Sequence, residues 1–272
     1  MWCILNYKLI AIDLDGTLLT GDNSISEQTK KIISKLKERG VKIVIATGRM
    51  FVSALPYVRE LELNNPVITY NGALIKTLDN GKNDGKTLYH QPLPEKLAEE
   101  IIKECNKKEL HLNLYLDDTL YVENNNKESR GYERSSGVKA YKVDSFLDFM
   151  NKPPTKLLAI DNNRESQQKH QKHFQKNYGS KLEISESKSN YIEFMAKGVS
   201  KGKALKYLAD KWKFSSEEVI AIGDNWNDFP MLKWAGLGIA MDSAPESLKN
   251  RVDRIAPDNE EEGVAVVLKD IF

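Results

Sequence analysis

One pattern constrains the fold more than any other: a short apolar, β-branched run that stops abruptly at polar residues, repeated three times. Leu9 to Ile12 ends at Asp13-Leu14-Asp15-Gly16, Val41 to Ala46 at Thr47-Gly48-Arg49, and Glu218 to Ile222 at Gly223-Asp224. Such runs lack polar alternation and predict strands buried on both faces, as in a parallel sheet sandwiched between helices. Helical spacing fills the intervals. Ser24 or Ser26 can cap a helix running to about Arg39, with Ile32, Ile33 and Leu36 as its apolar stripe and Gly40 as its stop. Lys201 to Trp212 is helical, Gly238 to Met241 is another short strand, and Gly263 to Leu268 starts a terminal helix. In an open α/β sheet, ligands bind outside the carboxyl ends of the strands, where the three polar endings would gather.

The middle of the chain has a different texture. Val67 to Tyr70 is apolar and runs into Asn71-Gly72, a hairpin signal, before Ala73-Leu74-Ile75; Asp79 to Lys86 then forms a polar, glycine-bearing connection. His111 to Leu116 alternates strictly and predicts a strand with one wet face, turning at Asp117-Asp118 into Leu120 to Glu123. Helices are expected near Glu95 to Lys107 and Arg164 to Tyr178, and further strands at Leu157 to Ile160 and Leu182 to Ser187. This predicts an antiparallel sheet with helices on one face, inserted into the α/β core. The expected division is residues 1–82 and 190–272 for the core and 83–189 for the insertion.

Charge narrows the partners. Forty basic and thirty-nine acidic residues give a net charge of +1, and Lys and Glu interleave, so no basic face for nucleic acid is expected. No run approaches the roughly 18 apolar residues of a membrane span. The amino terminus lacks the basic and apolar regions of a signal peptide, and its first six residues read as a short extension. Two cysteines, Cys3 and Cys105, fit neither a disulfide framework nor a zinc spacing and read as inert thiols, so the expected location is cytoplasmic.

The polar strand ends supply carboxylates at Asp13, Asp15, Asp224 and Asp228, neutral donors at Thr47 and Asn227, and cations at Lys201 and Arg49. If the extended backbone persists, Asp13 and Asp15 point the same way, and two adjacent carboxylates need a cation or a shared proton. Carboxylates without histidine suit a hard cation, Mg2+ best, and Lys and Thr beside it suit phosphoryl oxygens.

Asp13-Leu-Asp-Gly-Thr-Leu18, Ala46-Thr-Gly-Arg49, Ser200-Lys-Gly-Lys-Ala-Leu205 and Gly223-Asp-Asn-Trp-Asn-Asp-Phe-Pro-Met-Leu232 resemble, in order, the four motifs of the haloacid dehalogenase superfamily. Asn71-Gly-Ala73 and Asp258-Asn-Glu-Glu-Glu-Gly-Val264 resemble its Cof-type branch, whose cap domain is inserted between the second and third motifs. The resemblance covers essentially the whole chain. It implies a Rossmann-like parallel-sheet core with an inserted α+β cap domain that closes over it, and a Mg2+-dependent phosphatase acting on small organic phosphomonoesters. Sugar phosphates come first as substrates, then phosphorylated cofactors such as flavin mononucleotide or pyridoxal phosphate. Asp13 would be the nucleophile, ionised without further help, and a metal ligand; Asp15 the general acid and then base, needing a raised pKa, with its backbone carbonyl on the metal. Asp224 would be the third ligand, and Asp228 would hold a metal-bound water or orient Lys201. Thr47, Gly48, Lys201 and Asn227 would bind phosphoryl oxygens, and Arg49 would support that pocket or the substrate beyond it. Trp226 stands where many relatives carry a smaller residue; a substrate-side role and a core-packing role are both open.

Two other functions fit parts of the pattern. A phosphomutase of the phosphomannomutase type shares the architecture, and a phospho-accepting signalling module also places an Asp near Mg2+, Thr and Lys. The module needs neither Asp15 as an acid nor the insertion. His170-x-x-His173 has a spacing that could hold metal, but Lys169, Gln171, Lys172 and Gln175 around it read as a solvated helix face. Tyr115, Tyr121 and Tyr141 read as sheet packing, and no site residue is expected in the insertion.

Overall fold

The structure, a computed structural model, describes residues 7–78 and 85–272. Cys3, the amino-terminal extension and most of the polar connection after Leu78 lie outside the described residues. In chain order the elements are β1 (Leu9–Ile12), α1 (Glu27–Glu38), β2 (Lys42–Ile45), α2 (Phe51–Glu60), β3 (Val67–Thr69), β4 (Leu74–Lys76) and β5 (Thr87–His90). Next come α3 (Glu95–Lys107), β6 (His111–Leu116), β7 (Thr119–Val122), α4 (Lys127–Ser136), β8 (Ala140–Lys142), α5 (Phe146–Phe149), β9 (Lys156–Ile160), α6 (Arg164–Tyr178), β10 (Leu182–Ser185) and β11 (Tyr191–Ala196). The chain closes with α7 (Lys201–Trp212), β12 (Val219–Gly223), α8 (Phe229–Trp234), β13 (Leu237–Met241), α9 (Glu246–Lys249), β14 (Arg254–Ala256) and α10 (Gly263–Ile271).

Two compact units result, residues 1–89 with 200–272 and residues 90–199. The first is an α/β unit whose parallel sheet has the order β14-β13-β12-β1-β2. β1 lies between the two partners that matter: Leu9 faces Lys42 of β2 and Val219 of β12, and the ladder continues until the Asp13 N–H reaches the Ile222 carbonyl at 3.0 Å. Its strands are buried on both faces because two layers of helices cover them. Ile10, Ile12, Ile43, Ile45, Ile220 and Ile222 pack with α1, α2 and α10. Leu9, Ala11, Val44, Val219 and Ala221 pack with α7, α8 and α9. Each fully buried isoleucine contributes about 1.5–3 kcal/mol relative to an exposed one. Local chemistry sets the helix ends: Ser26 Oγ accepts the Thr29 N–H and starts α1, and Ser200 Oγ accepts the Lys203 N–H and starts α7.

A smaller sheet, β3-β4-β5, in which β3 and β4 run antiparallel, carries the Asn71-Gly72 turn between those two strands. The second unit is built on a sheet of order β10-β11-β9-β6-β7-β8, antiparallel except where β7 runs parallel to β8. Its limits fall at 89/90 and 199/200 rather than at the texture changes of 82/83 and 189/190, because β5 joins β4 and β11 pairs with β9 and β10. The wet face expected of β6 is not wet: all six residues, including His111, Asn113 and Tyr115, are buried. α4 packs over this strand, and β6 lies inside the sheet. Cys105 is buried, and burial raises its thiol pKa. No helix among the described residues is long and apolar enough to cross a membrane.

Candidate active site

The strands β1, β2 and β12 deliver Asp13, Thr47 and Asp224 to one edge of the sheet, all three in the α/β unit. Lys201 arrives from the first residue of α7. A lysine at a helix amino terminus opposes the helix dipole and is normally solvated. Here it is fully buried, and its Nζ donates to Asp13 Oδ1 and Asp228 Oδ1, both at 2.6 Å. Two carboxylates therefore offset what burial and the dipole cost: burial pulls the ammonium pKa down, but Asp13 and Asp228 raise it above the ordinary lysine value.

Asp228 has both oxygens engaged. While Oδ1 takes Lys201, Oδ2 accepts the backbone N–H groups of Asp224 and Asn225, each at 3.1 Å. It thus fixes the loop that carries Asp224 as well as the lysine. Thr17 Oγ1 donates to Asp224 Oδ1 at 3.3 Å, a contact that sequence reasoning missed although Thr17 belongs to the first motif. Gly16 adopts φ 76°, and a Cβ there would lie 2.6 Å from Asp224 Oδ2, so only glycine lets the two loops approach.

Oxygens of Asp13, Asp224 and Asp228 all lie within 4.8 Å of one another. Three carboxylates face a single lysine, and the excess shows in the pKa of Asp13 and of Asp224. Burial raises the Asp13 carboxyl well above its usual range; Lys201 opposes this, while Asp228 and Asp224 add to it. Burial, then Asp228, push Asp224 up to about 6. The Asp13 carboxylate is thus desolvated and repelled by two others, with Lys201 alone set against them. A divalent cation with oxygen ligands fits this donor set, since it would neutralise the excess that one ammonium leaves.

Asp15 does not stand beside Asp13. The chain turns at Leu14, and the exposed Asp15 carboxylate is gripped in bidentate fashion by Arg49, with Nε to Oδ2 at 2.8 Å and Nη2 to Oδ1 at 2.5 Å. The Tyr57 hydroxyl accepts from Arg49 Nη1 at 3.2 Å, its ring lies 5.1 Å below the guanidinium, and Asn23 Oδ1 accepts from Nη2 at 3.3 Å. The site thus holds two charge centres, a buried one on Lys201 and a half-buried one on Arg49.

Thr47 is fully buried. Asn227 is exposed, and its Nδ2 donates to Asn71 Oδ1 at 3.1 Å, with Gly48 directly beneath. Asn71 comes from the predicted hairpin turn, whose residues are strained: Tyr70 and Asn71 have φ of 50° and 53°, and Gly72 follows at 100°. A buried tyrosine in this region costs roughly 1–2 kcal/mol. Trp226 does not pack in the core. It is 42% exposed, edge-on to Phe229 at 5.6 Å, with the Arg251 guanidinium 5.5 Å from its ring. The two histidines of α6 go separate ways, His170 Nδ1 to Asp161 Oδ2 at 2.9 Å and His173 to Glu104, and hold no joint metal position.

Residues 10–268 match the family of haloacid dehalogenase-like hydrolases. The chain belongs to this family. A 5-amino-6-(5-phospho-D-ribitylamino)uracil phosphatase of Bacillus subtilis, YitU, is 28% identical over 287 residues, spanning 97% of each chain. An X-ray crystal structure from Thermotoga maritima is 33% identical and superposes with a TM-score of 0.88 over 98% of each chain. The fold is also that of a subclass IIB sugar phosphatase of this superfamily, 24% identical, with a TM-score of 0.83 over 97% of this chain and all of the other. This haloacid dehalogenase-like hydrolase is a phosphoric monoester hydrolase, and the purely phospho-accepting alternative does not apply to it.

Proposed function

We propose that the protein is a Mg2+-dependent phosphatase of small organic phosphomonoesters that works through an aspartyl-phosphate on Asp13. The observation that carries the reading is Lys201, buried between Asp13 and Asp228 with Asp224 alongside. Asp13 and Asp224, with the Asp15 backbone carbonyl, would hold the cation, and Asp228 would support it from behind. When bound, the cation neutralises the carboxylates and draws phosphoryl charge away from the nucleophile.

Thr47, Gly48, Lys201, Asn227 and Arg49 receive the phosphoryl group and its ester. One Asp13 oxygen attacks phosphorus, the bond from phosphorus to the ester oxygen breaks, and Asp15 gives its proton to the departing oxygen. Asp15 next takes a proton from water, whose oxygen attacks phosphorus, releasing phosphate and regenerating Asp13. To reach the ester oxygen, Asp15 must leave its bidentate grip on Arg49. That rotation is a motion the mechanism requires.

Sugar and polyol phosphates stand first as substrates, since the YitU name specifies a ribityl phosphate. Phosphorylated cofactors stand second. A screen of phosphorylated sugars, nucleotides and cofactors for phosphate release, with and without Mg2+, tests the reading. Mg2+-dependent release without any sugar bisphosphate supports hydrolysis. A strict bisphosphate requirement would turn the assignment to a mutase, and release unchanged by chelation would remove the metal from it.

A further inference from the structure

Asn71 is placed within the candidate site but has no part in the chemistry above. We propose that it is a positioning residue that fixes which end of the Asn227 side-chain amide faces the phosphoryl group. This rests on the phosphatase reading. An asparagine amide presents N–H donors at one end and a carbonyl acceptor at the other, and a half turn exchanges them. Facing an anion, the nitrogen end attracts and the oxygen end repels.

Asn227 is exposed, and among the described residues its side chain makes one hydrogen bond, from Nδ2 to Asn71 Oδ1 at 3.1 Å. One amide hydrogen is committed there. The other stays on the same nitrogen, available to a phosphoryl oxygen, while the carbonyl end is kept from taking its place.

The lock requires that Asn71 be held in place, and its backbone is anchored on two sides. The Asn71 N–H donates to the Thr47 carbonyl and the Tyr70 N–H to the Arg49 carbonyl, both at 3.0 Å. A Cβ on Gly48 would lie 3.0 Å from Asn71 Oδ1 and 3.4 Å from its Nδ2, so the glycine makes room for the carboxamide. Gly72, at φ 100°, lies so close to the Ser200 carbonyl that any Cβ would overlap it, and Ser200 precedes Lys201. The turn therefore braces the segments carrying Thr47, Lys201 and Asn227 against one another. Strain retained in such a turn is a mark of function.

The test is a double-mutant cycle of Asn71→Gly with Asn227→Ala. Glycine adopts the left-handed backbone of position 71 without strain, so the substitution removes the side chain alone. The cycle is read on kcat/KM for an aryl phosphate and a sugar phosphate, and on binding of inorganic phosphate with Mg2+ by calorimetry. The unfolding midpoint is followed in parallel. Asn71→Gly should lower kcat/KM about tenfold for both esters, less than the loss of a whole oxyanion donor, and weaken phosphate binding similarly. In the Asn227→Ala background it should cost less than twofold more. Additive losses, or a loss with one leaving group only, would overturn the proposal. If Asn71→Gly fails to fold, Asn71→Ala carries the same cycle. A wild-type protein that binds phosphate but hydrolyses neither ester defeats the hydrolytic reading and leaves the binding cycle to decide the Asn71 role; one that binds no phosphate defeats both.

Discussion

Two buried lysines, one in each compact unit, sit against carboxylates and differ in what they leave unbalanced. Lys156 in β9 donates to Glu193 Oε1 of β11 at 3.0 Å, with the Ser187 hydroxyl on the same oxygen at 2.7 Å and the Tyr115 ring 5.0 Å from Nζ. Burial lowers its pKa, but Glu193 and Tyr132 carry it above the ordinary value. One cation meets one anion, and the pair is neutral. Lys201 meets two carboxylates and a third nearby, so its cluster sets three acids against one cation. A buried ion pair by itself is weak evidence of function. What separates the two sites is the surplus of charge at a strand edge.

The comparison can be broken in several ways, the most severe first. Asp13→Asn should abolish turnover, to below about a thousandth of wild type, with an unchanged circular dichroism spectrum; measurable steady-state activity would rule out the covalent route. EDTA should stop the reaction and Mg2+ restore it, as followed by phosphate release. Asp15→Asn should slow both chemical steps, by roughly 10²–10⁴-fold, and let a phosphorylated protein accumulate with an activated ester, visible by mass spectrometry.

The two lysines should then diverge. Lys201→Met should lower kcat at least about a hundredfold. Lys156→Met should leave kcat for an aryl phosphate within about twofold while destabilising the fold by roughly 3–5 kcal/mol, because Glu193 is left buried and unpaired. A Lys156 variant that loses activity at unchanged stability would erase the distinction. The smallest effect concerns pH. Asp224 titrates near 6 in the folded protein without cation, above its unfolded value, so the folded state binds the proton more tightly. Its contribution is present at low pH and is lost as pH rises through about 6. The unfolding midpoint of EDTA-treated protein should therefore fall between about pH 4 and 6 and level off above, and Mg2+ should abolish that fall.

Much of this was legible from local pattern. The apolar runs around β1, β2 and β12 named the central strands of the core, because burial on both faces removes polar alternation. The spans expected for α3, α6 and α7 match the structure. Asp13, Lys201 and Asp224 could be placed near one another because each stands at the end or start of an element whose direction was readable. Contacts across the fold were not legible. The alternation of His111, Asn113 and Tyr115 reads as solvent contact, yet α4 packs over that strand and a buried polar network forms. Asp15 parts from Asp13 because the chain turns at Leu14 and Arg49 lies within reach. Asn71 meets Asn227 across 156 residues, and no local signal predicts such a pairing.

The strand order has a consequence for how the protein is made. β1 pairs on one side with β2, close behind it, and on the other with β12, Leu9 opposite Val219. At ribosomal speeds, about 10–40 s separate the synthesis of those two strands. During that interval β1 has an open edge and Asp13 has no lysine. The whole second unit is synthesised first, so the nascent chain holds an aggregation-prone strand end until its last quarter emerges. The candidate site is thus among the last parts of the molecule to form, and carboxy-terminal truncation would remove its lysine and the edge protection together.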